Sequence, residues 1–142
     1  MSEARENRVG QYARRVGEIL GLEPETLAML ELAGSLHDVG KDMLSERIVE
    51  KPGPLTDAEW EAMRRHPELG EAIAREEGHP EDVSEWVRHH HERLDGTGYP
   101  DGLSGDQIPL GARILSVADT FDAITSTRPY RQANPHKKAL GI

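Results

Sequence analysis

The sequence lacks cysteine entirely and has few aromatic residues. Without cysteine the chain forms neither disulfides nor thiolate metal sites, so any metal ligands must be His, Asp or Glu. Aromatic residues make up only 4% of the chain. The core must therefore consist mostly of Leu, Ile, Val and Ala, a composition that suits helices.

Long apolar runs and an excess of positive charge are also missing. No apolar run approaches the length of a membrane span, and the N-terminus is charged, so we expect a cytoplasmic chain without a membrane partner. The formal net charge of −9, from 17 basic and 26 acidic residues, argues against a nucleic acid polymer as partner. A small phosphate ligand stays compatible, because bound divalent cations can reverse the local field. The length of 142 residues predicts a single domain over 1–142.

Hydrophobic periodicity predicts an all-α chain that folds as a compact bundle of about five core helices. The start of the third helix is the clearest, because Thr56 and Glu59 form a capping-box pattern. The five predicted segments are about 4–20, Pro24 to Gly40, Thr56 to the break at His79-Pro80, about 81–93, and near Pro109 to Ile124.

Two of these helices have a predicted core face that carries polar side chains. The third would turn Trp60, Met63, Leu69 and Ile73 inward together with His66. On the residues alone, His66 is either a metal ligand or a buried histidine bonded to a carbonyl. The fifth helix has the apolar stripe Ile114, Val117, Ala118 and Phe121, with Asp119 beside it. A buried carboxylate is costly unless paired, so we favour a metal at Asp119 over an ion pair with Arg113.

Three adjacent histidines are the most distinctive feature of the chain. His89, His90 and His91 precede Glu92 and a turn rich in glycine that ends at Pro100. Adjacent side chains on a helix point about 100° apart, so they suit two neighbouring metals better than one. His90 shares the apolar face of its helix and His91 flanks that face, whereas His89 falls on the other side. We therefore predict His90 and His91 as ligands and His89 as solvent-facing; the alternative is a polar helix end entering a surface loop.

A second polar motif, His37-Asp38, lies at the inner end of the second helix. Burying an unpaired carboxylate is costly, so Asp38 needs a cation nearby. Lys41, three residues later, can supply that charge through a salt bridge, and so can a metal. The residues alone leave both readings open.

Taken together, His37-Asp38, the run His90-His91-Glu92 and the turn Gly98-Tyr99-Pro100 resemble the signature of the HD-GYP domains. These domains belong to the wider HD superfamily of metal-dependent phosphohydrolases, and the resemblance covers about residues 5–133. It implies an HD-type helical bundle around a centre of two or three metals. It also implies hydrolysis of cyclic di-GMP or a related cyclic dinucleotide.

The resemblance also implies roles for individual residues. Asp38 would bridge two metals, and Lys41 would contact the substrate phosphate, so both are expected to be catalytic. Asp122 would play a structural part. The implied metal ligands are His37, Asp38, His66, His90, His91 and Asp119, and the implied substrate contacts are Gly98, Tyr99, Pro100, Arg128 and Arg131.

The ligand types indicate which metals to expect. Histidines and carboxylates without thiolates suit borderline divalent ions, so Fe or Mn is favoured, and Zn, Ni and Co stay compatible. Two such ions would activate a shared water for attack on phosphorus. Arg128 and Arg131 would clamp the second phosphate. These two arginines would equally suit the end of a helix, where positive charge is stabilising.

Two departures from the family pattern matter. The family has a histidine on the first helix where this chain has Arg5, and arginine cannot ligate a metal. The first metal site therefore lacks one protein ligand. Some three-metal members also have a glutamate about one turn earlier, a position that falls on Met1 here, so we expect a two-metal centre. The family domain also usually continues with a further helix, whereas this chain ends at Ile142, so either the chain is trimmed or a partner covers that face.

Arg5 leaves a second functional hypothesis open. With a weak first site, the chain would bind cyclic di-GMP without turnover, or dock a diguanylate cyclase or receiver-domain partner through the Gly98-Tyr99-Pro100 turn. A third hypothesis keeps catalysis but changes the substrate to a nucleotide monophosphate or another phosphoester.

Overall fold

The computed structural model describes residues 3–44 and 46–125, without the side chains of residues 3–6, 42 and 46. The described residues form seven α-helices, two short 3₁₀ segments and no strand, with one isolated bridge between Asp95 and Ser104. The α-helices are α1 (Glu3–Ile19), α2 (Pro24–Leu36), α3 (Glu46–Val49), α4 (Asp57–Met63), α5 (His66–Glu76), α6 (Glu81–His89) and α7 (Leu110–Thr125). The 3₁₀ segments are Val39–Met43 and Gly105–Gln107.

Several predicted helix boundaries are confirmed. Gly21 follows α1 with a φ of 76°, a conformation that glycine adopts without steric cost. Pro24 is the first residue of α2, where its missing N–H costs nothing. At α4, Thr56 accepts a hydrogen bond from the Glu59 N–H while the Glu59 side chain accepts from the Thr56 N–H, which completes the predicted capping box.

The hydrophobic core lies between α1, α2, α6 and α7. Leu30, Val87 and Leu115 are among its fully buried side chains, one from each of three helices. Helices α1 and α2 touch backbone to backbone, because a Cβ on Gly34 would lie 2.4 Å from the Gly10 Cα. This close approach fixes the end of α2, and with it the His37-Asp38 motif, against the rest of the bundle.

The predicted third helix is wrong in one respect, since it is two helices that meet at Arg64 and Arg65. Pro67 has no N–H with which to pair the Met63 carbonyl, so the continuous ladder is broken there. The same carbonyl instead accepts a hydrogen bond from His66 Nδ1 at 2.9 Å. The predicted fourth helix likewise ends earlier than expected, at His89.

The predicted core face of α7 is also partly wrong. Ile114 and Ala118 are buried as expected, but Val117 and Phe121 are 59% and 51% exposed. Asp122 is buried instead, and its Oδ1 accepts a hydrogen bond from Arg8 Nε of α1 at 2.8 Å. The Asp122 side of α7 thus faces inward, an orientation that hydrophobic periodicity does not reveal.

Among the described residues, no helix is long and apolar enough to cross a membrane.

Candidate metal centre

Four segments that lie apart in the sequence bring ligand-type side chains into one buried pocket. These side chains come from the end of α2, the start of α5, the end of α6 and the middle of α7. They form two groups, each with its ligand atoms within 4.8 Å of one another: His37, Asp38 and Asp119 in one, His66, His90 and His91 in the other. All six predicted ligands therefore converge.

The carboxylate of Asp38 lies between the two groups. Its Oδ2 is 3.1 Å from His37 Nε2, and its Oδ1 is 3.4 Å from His66 Nε2. Each oxygen thus faces a different group. A carboxylate in this position can serve two cations at once, one through each oxygen.

Glycine at position 40 makes this juxtaposition possible. A Cβ at Gly40 would lie 2.0 Å from the carbonyl oxygen of His66 and 2.7 Å from the Gly70 nitrogen. The 3₁₀ segment after Asp38 therefore packs directly on the backbone of α5. Any side chain at position 40 would push Asp38 and His66 apart.

Hydrogen bonds to the backbone fix the orientation of three of the histidine rings. In His37, His66 and His90, Nδ1 donates to the carbonyl three residues earlier, at 2.6, 2.9 and 2.6 Å. A carbonyl can only accept, so Nδ1 carries a proton and Nε2 points into the pocket. This second contact is typical of histidines that bind metals through Nε2.

The second group consists of neutral imidazoles whose Nε2 atoms have few hydrogen-bond partners among the described residues. Burial lowers the pKa of His66 and His90, and it lowers the pKa of His91 to about 4. His90 Nε2 is buried without a hydrogen-bond partner among the described residues. His66 Nε2 and His91 Nε2 lie 3.2 Å apart. Three neutral imidazole nitrogens converging in this way fit a divalent metal ion.

The first group concentrates negative charge. Burial disfavours the imidazolium of His37, yet the carboxylates of Asp38 and Asp119 outweigh it and raise the pKa of His37 to about 10. Burial alone would raise the pKa of both carboxyl groups, but His37 lowers both. The buried Asp38 carboxylate and the partly buried Asp119 carboxylate beside one imidazole also fit a cation, and a metal would take the place of the proton on His37.

Lys41 lies at the open side of this group. Its Nζ is 3.5 Å from Asp38 Oδ1, so the salt bridge that the sequence suggested as one of two possibilities is present. The lysine side chain is 21% exposed. It can therefore pair with Asp38 and still contact a phosphate that enters the pocket.

The Gly98-Tyr99-Pro100 turn folds back onto α6. The Tyr99 ring stacks on His91 with centroids 5.0 Å apart and an angle of 17° between the planes, and the Tyr99 N–H donates to the His91 carbonyl at 3.2 Å. A Cβ at Gly98 would lie 2.3 Å from that carbonyl oxygen, so only glycine fits. The turn thus holds the His91 ring in place. Burial raises the pKa of Tyr99 to about 12, so its hydroxyl stays a neutral donor.

The prediction that His89 faces solvent is wrong. His89 is 7% exposed, and its Nδ1 lies 3.3 Å from Glu92 Oε2. Glu92 is buried as well and accepts hydrogen bonds from the backbone N–H groups of Asp101 and Leu103, both at 2.9 Å. Helical periodicity placed His89 on the outer side of α6, but the turn that follows α6 folds back and covers that side.

This cluster anchors the turn. Arg88 grips the Asp101 carboxylate through two hydrogen bonds, of 2.9 and 2.8 Å, and reaches Glu71 of α5 at 2.8 Å. His89, Glu92 and Asp101 are themselves ligand-type residues within 4.8 Å of one another. However, the Glu92 oxygens are already hydrogen-bonded to backbone and the Asp101 carboxylate to Arg88. Sequence reasoning missed these residues, although His89 and Glu92 are spaced three apart, as helical neighbours are.

Three predicted positions cannot be placed in the pocket. Arg128 and Arg131 lie outside the described residues. Arg5 belongs to α1, but its side chain also lies outside the described part of the chain.

Comparison with known proteins agrees with this geometry. The family model of the HD domain matches residues 1–142. The chain is 45% identical over 128 residues to the cyclic di-GMP phosphodiesterase response regulator RpfG of Xanthomonas campestris, covering 89% of this chain and 34% of the relative. It is 42% identical over 135 residues to the 3'3'-cGAMP-specific phosphodiesterase 3 of Vibrio cholerae, covering 95% of this chain and 29% of the relative.

A solved structure supports the fold. An HDGYP protein from Bdellovibrio bacteriovorus superposes with a TM-score of 0.71 at 22% identity, covering 84% of this chain and 40% of that chain. The chain spans about a third of the length of the curated relatives it matches. With the family model matching the whole chain and the signature residues converging in one pocket, the chain belongs to the HD domain family, as a member of the HD-GYP type.

Proposed function

We propose that this chain is the catalytic domain of a metal-dependent phosphodiesterase that hydrolyses cyclic di-GMP or a related cyclic dinucleotide. The observation that carries the proposal is the position of Asp38, whose two oxygens face two separate groups of ligand-type side chains. The names of the relatives, which include cyclic di-GMP and 3'3'-cGAMP phosphodiesterases, support the choice of substrate class.

The donor set supports two divalent ions, with Fe or Mn favoured. One would be held by His37, Asp38 and Asp119, and the other by Asp38, His66, His90 and His91. The set mixes imidazoles with carboxylates and contains no thiolate, which suits borderline metals. When bound, such ions supply Lewis acidity and lower the pKa of water, so that hydroxide is available near neutral pH.

The residues of the chain itself bind and orient the substrate. Lys41 Nζ, beside Asp38, would pair with a phosphate oxygen and stabilise the charge that develops on it during attack at phosphorus. The neutral Tyr99 hydroxyl would donate a hydrogen bond to a second oxygen, with the Gly98 and Pro100 backbone shaping the rim. Arg128 and Arg131 are proposed to bind the other phosphate. A proton from water would finally protonate the leaving ribose oxygen.

A binding module without turnover is the competing hypothesis, because Arg5 replaces a ligand of the family. Such a module would recognise the same dinucleotide, or a diguanylate cyclase or receiver-domain partner, with only the second metal group filled. Both hypotheses place the dinucleotide in the same pocket, and they differ in whether it is hydrolysed there.

Purification without oxygen, reconstitution with Fe(II) or Mn(II), and assay with cyclic di-GMP and 3'3'-cGAMP test the proposal. We expect linear products to appear by chromatography and metal analysis to give between about one and two ions per chain, because Arg5 replaces a ligand of the first group. Asp106→Ala, an exposed carboxylate far from the ligand groups in sequence, serves as the matched control for Asp38→Ala. Dinucleotide binding without any hydrolysis under both metals would refute the phosphodiesterase and favour the binding module.

A further inference from the structure

Trp60 is an exposed aromatic residue on a helix that buries none of its side chains. It is 44% exposed, whereas the other tryptophan, Trp86, is packed in the core at 8%. Helix α4, which carries Trp60, has no buried residue, so its cap at Thr56 and the ion pair between Lys51 and Glu59 hold it in place. The sequence predicted Trp60 as a core residue, and the structure places it at the surface. Core packing therefore does not explain a tryptophan at this position, whereas a role in binding would.

The position of Trp60 relative to the candidate metal centre indicates that role. Its indole meets the Tyr99 ring edge to face, with centroids 5.9 Å apart and an angle of 83°. Tyr99 in turn stacks on His91 at 5.0 Å. Three rings therefore lead from the metal centre outward, and the outermost is the one open to solvent.

Tyr99 itself is poorly placed to stack a base. One partner of its ring is His91, in a near-parallel stack, and the Arg64 guanidinium lies over the ring at 5.2 Å from the centroid. Trp60 has no such pair of ring contacts among the described residues. Among the described aromatic rings beside the pocket, Trp60 thus combines a single ring contact with a side chain that is 44% exposed.

We propose that Trp60 is the stacking platform for one purine base of the bound cyclic dinucleotide. The proposal rests on the proposed function, because it requires a phosphate at the metal centre and a base attached to the neighbouring ribose. Stacking on an aromatic ring tolerates guanine and adenine alike, so both kinds of cyclic dinucleotide would use the indole.

The chemistry also suits the surroundings of Trp60. Arg64, one helical turn further on, is 40% exposed and pairs with Glu61 at 3.3 Å. Its positive charge lies beside the Tyr99 ring, where it would attract an anionic dinucleotide. Stacking at Trp60 would therefore act together with charge attraction at the rim.

A kinetic comparison separates base stacking from a structural role. In the metal-loaded protein, Trp60→Ala should raise the KM for cyclic di-GMP roughly 5- to 100-fold, the range that the loss of one base stack produces. Its kcat should stay within about twofold, because the reacting phosphate is untouched. Trp60→Phe should recover most of the affinity. Inhibition by inorganic phosphate, which has no base, should be the same in wild type and both variants.

Fluorescence gives a second readout that does not depend on turnover. In the metal-loaded protein, cyclic di-GMP should quench tryptophan emission of wild type on rapid mixing, before turnover, and Trp60→Phe should abolish the quench, leaving the buried Trp86 as an internal reference. An unchanged KM in Trp60→Ala, or a parallel loss of phosphate inhibition, would overturn the stacking role. If wild type hydrolyses no dinucleotide at all, the proposed function fails, while the quench still decides whether Trp60 contacts the base.

Discussion

Asp38 Oδ1 lies 3.4 Å from His66 Nε2, and this contact joins two groups of side chains that come from opposite sides of the pocket. Asp38 reaches it from the end of α2 and His66 from the first residue of α5. Because the other carboxylate oxygen faces His37, removal of Asp38 affects both groups, whereas removal of a histidine affects one.

Asp38→Ala should therefore lose more metal than any single histidine variant. We expect less than about half an ion per chain, against roughly one for His91→Ala, and a fall in phosphodiesterase activity of at least about 100-fold. Elemental analysis after reconstitution and a hydrolysis assay measure these changes, with circular dichroism to establish that the variant is folded. Undiminished metal in folded Asp38→Ala would rule out a bridging carboxylate.

Gly40→Ala should damage the fold and the pocket together. The new Cβ would lie 2.0 Å from the His66 carbonyl oxygen, so the 3₁₀ segment must move away from α5. Overpacking of this kind costs about 1–3 kcal/mol in unfolding free energy, measured by urea denaturation. Metal affinity should fall as well, since Asp38 moves with the segment.

Gly53→Ala is the matched control for this change, because a Cβ there meets nothing within 4 Å. It should leave both the unfolding free energy and the metal affinity unchanged. Equal stability of the Gly40 and Gly53 variants would mean that the segment accommodates a side chain and that Gly40 does not set the distance between Asp38 and His66.

His89→Ala should destabilise the protein, whereas substitution of a solvent-facing histidine would not. The substitution removes a side-chain partner from the buried Glu92, and such losses cost about 1–3 kcal/mol. His79→Ala is the control, since that ring pairs with exposed Glu77 at 3.1 Å and should contribute within about 0.5 kcal/mol. Equal denaturation midpoints for the two variants would contradict the anchoring role of His89.

The cap of α4 predicts a specific dependence on pH. The hydrogen bond from Lys51 and the bonds with Thr56 lower the pKa of Glu59 from 4.5 to about 2. A carboxyl group whose pKa is lower in the folded state stabilises that state above the unfolded pKa and loses this effect as pH falls toward the folded value. The stability difference between wild type and Glu59→Gln should thus be present at pH 6 and shrink between about pH 4.5 and 2. Thermal melts of the two proteins measure this difference. A stability difference that stays constant between about pH 4.5 and 2 would show that ionised Glu59 does not stabilise the cap.

Arg5→His should increase metal content and activity. If Arg5 occupies the family's ligand position, its positive charge opposes a cation in the group of His37, Asp38 and Asp119. Histidine would add a ligand and remove that charge, so we expect the metal content to rise toward two ions per chain and cyclic di-GMP hydrolysis to accelerate severalfold. Arg5→Ala separates the two effects, because it removes the charge without adding a ligand. A wild-type protein that already holds two ions and turns over briskly would show that Arg5 is not at a ligand position.

The sequence alone determined the features that depend on one segment at a time. The helix starts at Pro24 and Thr56, the stop at Gly21 and the all-α class follow from local hydrogen bonding and backbone preference, which neighbouring residues set. Helix position and the cost of a buried carboxylate indicated His90, His91 and Asp119, and the family resemblance completed the set of six candidate ligands. Their ligand roles stay predictions that the converging geometry supports.

Only the tertiary structure decided which side of each segment is covered. His89 is buried because the turn after α6 returns over it, Asp122 is buried where Arg8 reaches it from α1, and Trp60 is exposed on a helix that ends at Met63 and buries none of its side chains. In each case the deciding partner lies elsewhere in the chain or breaks the helical period. Periodicity describes one regular helix, whereas burial depends on which other segments pack against it.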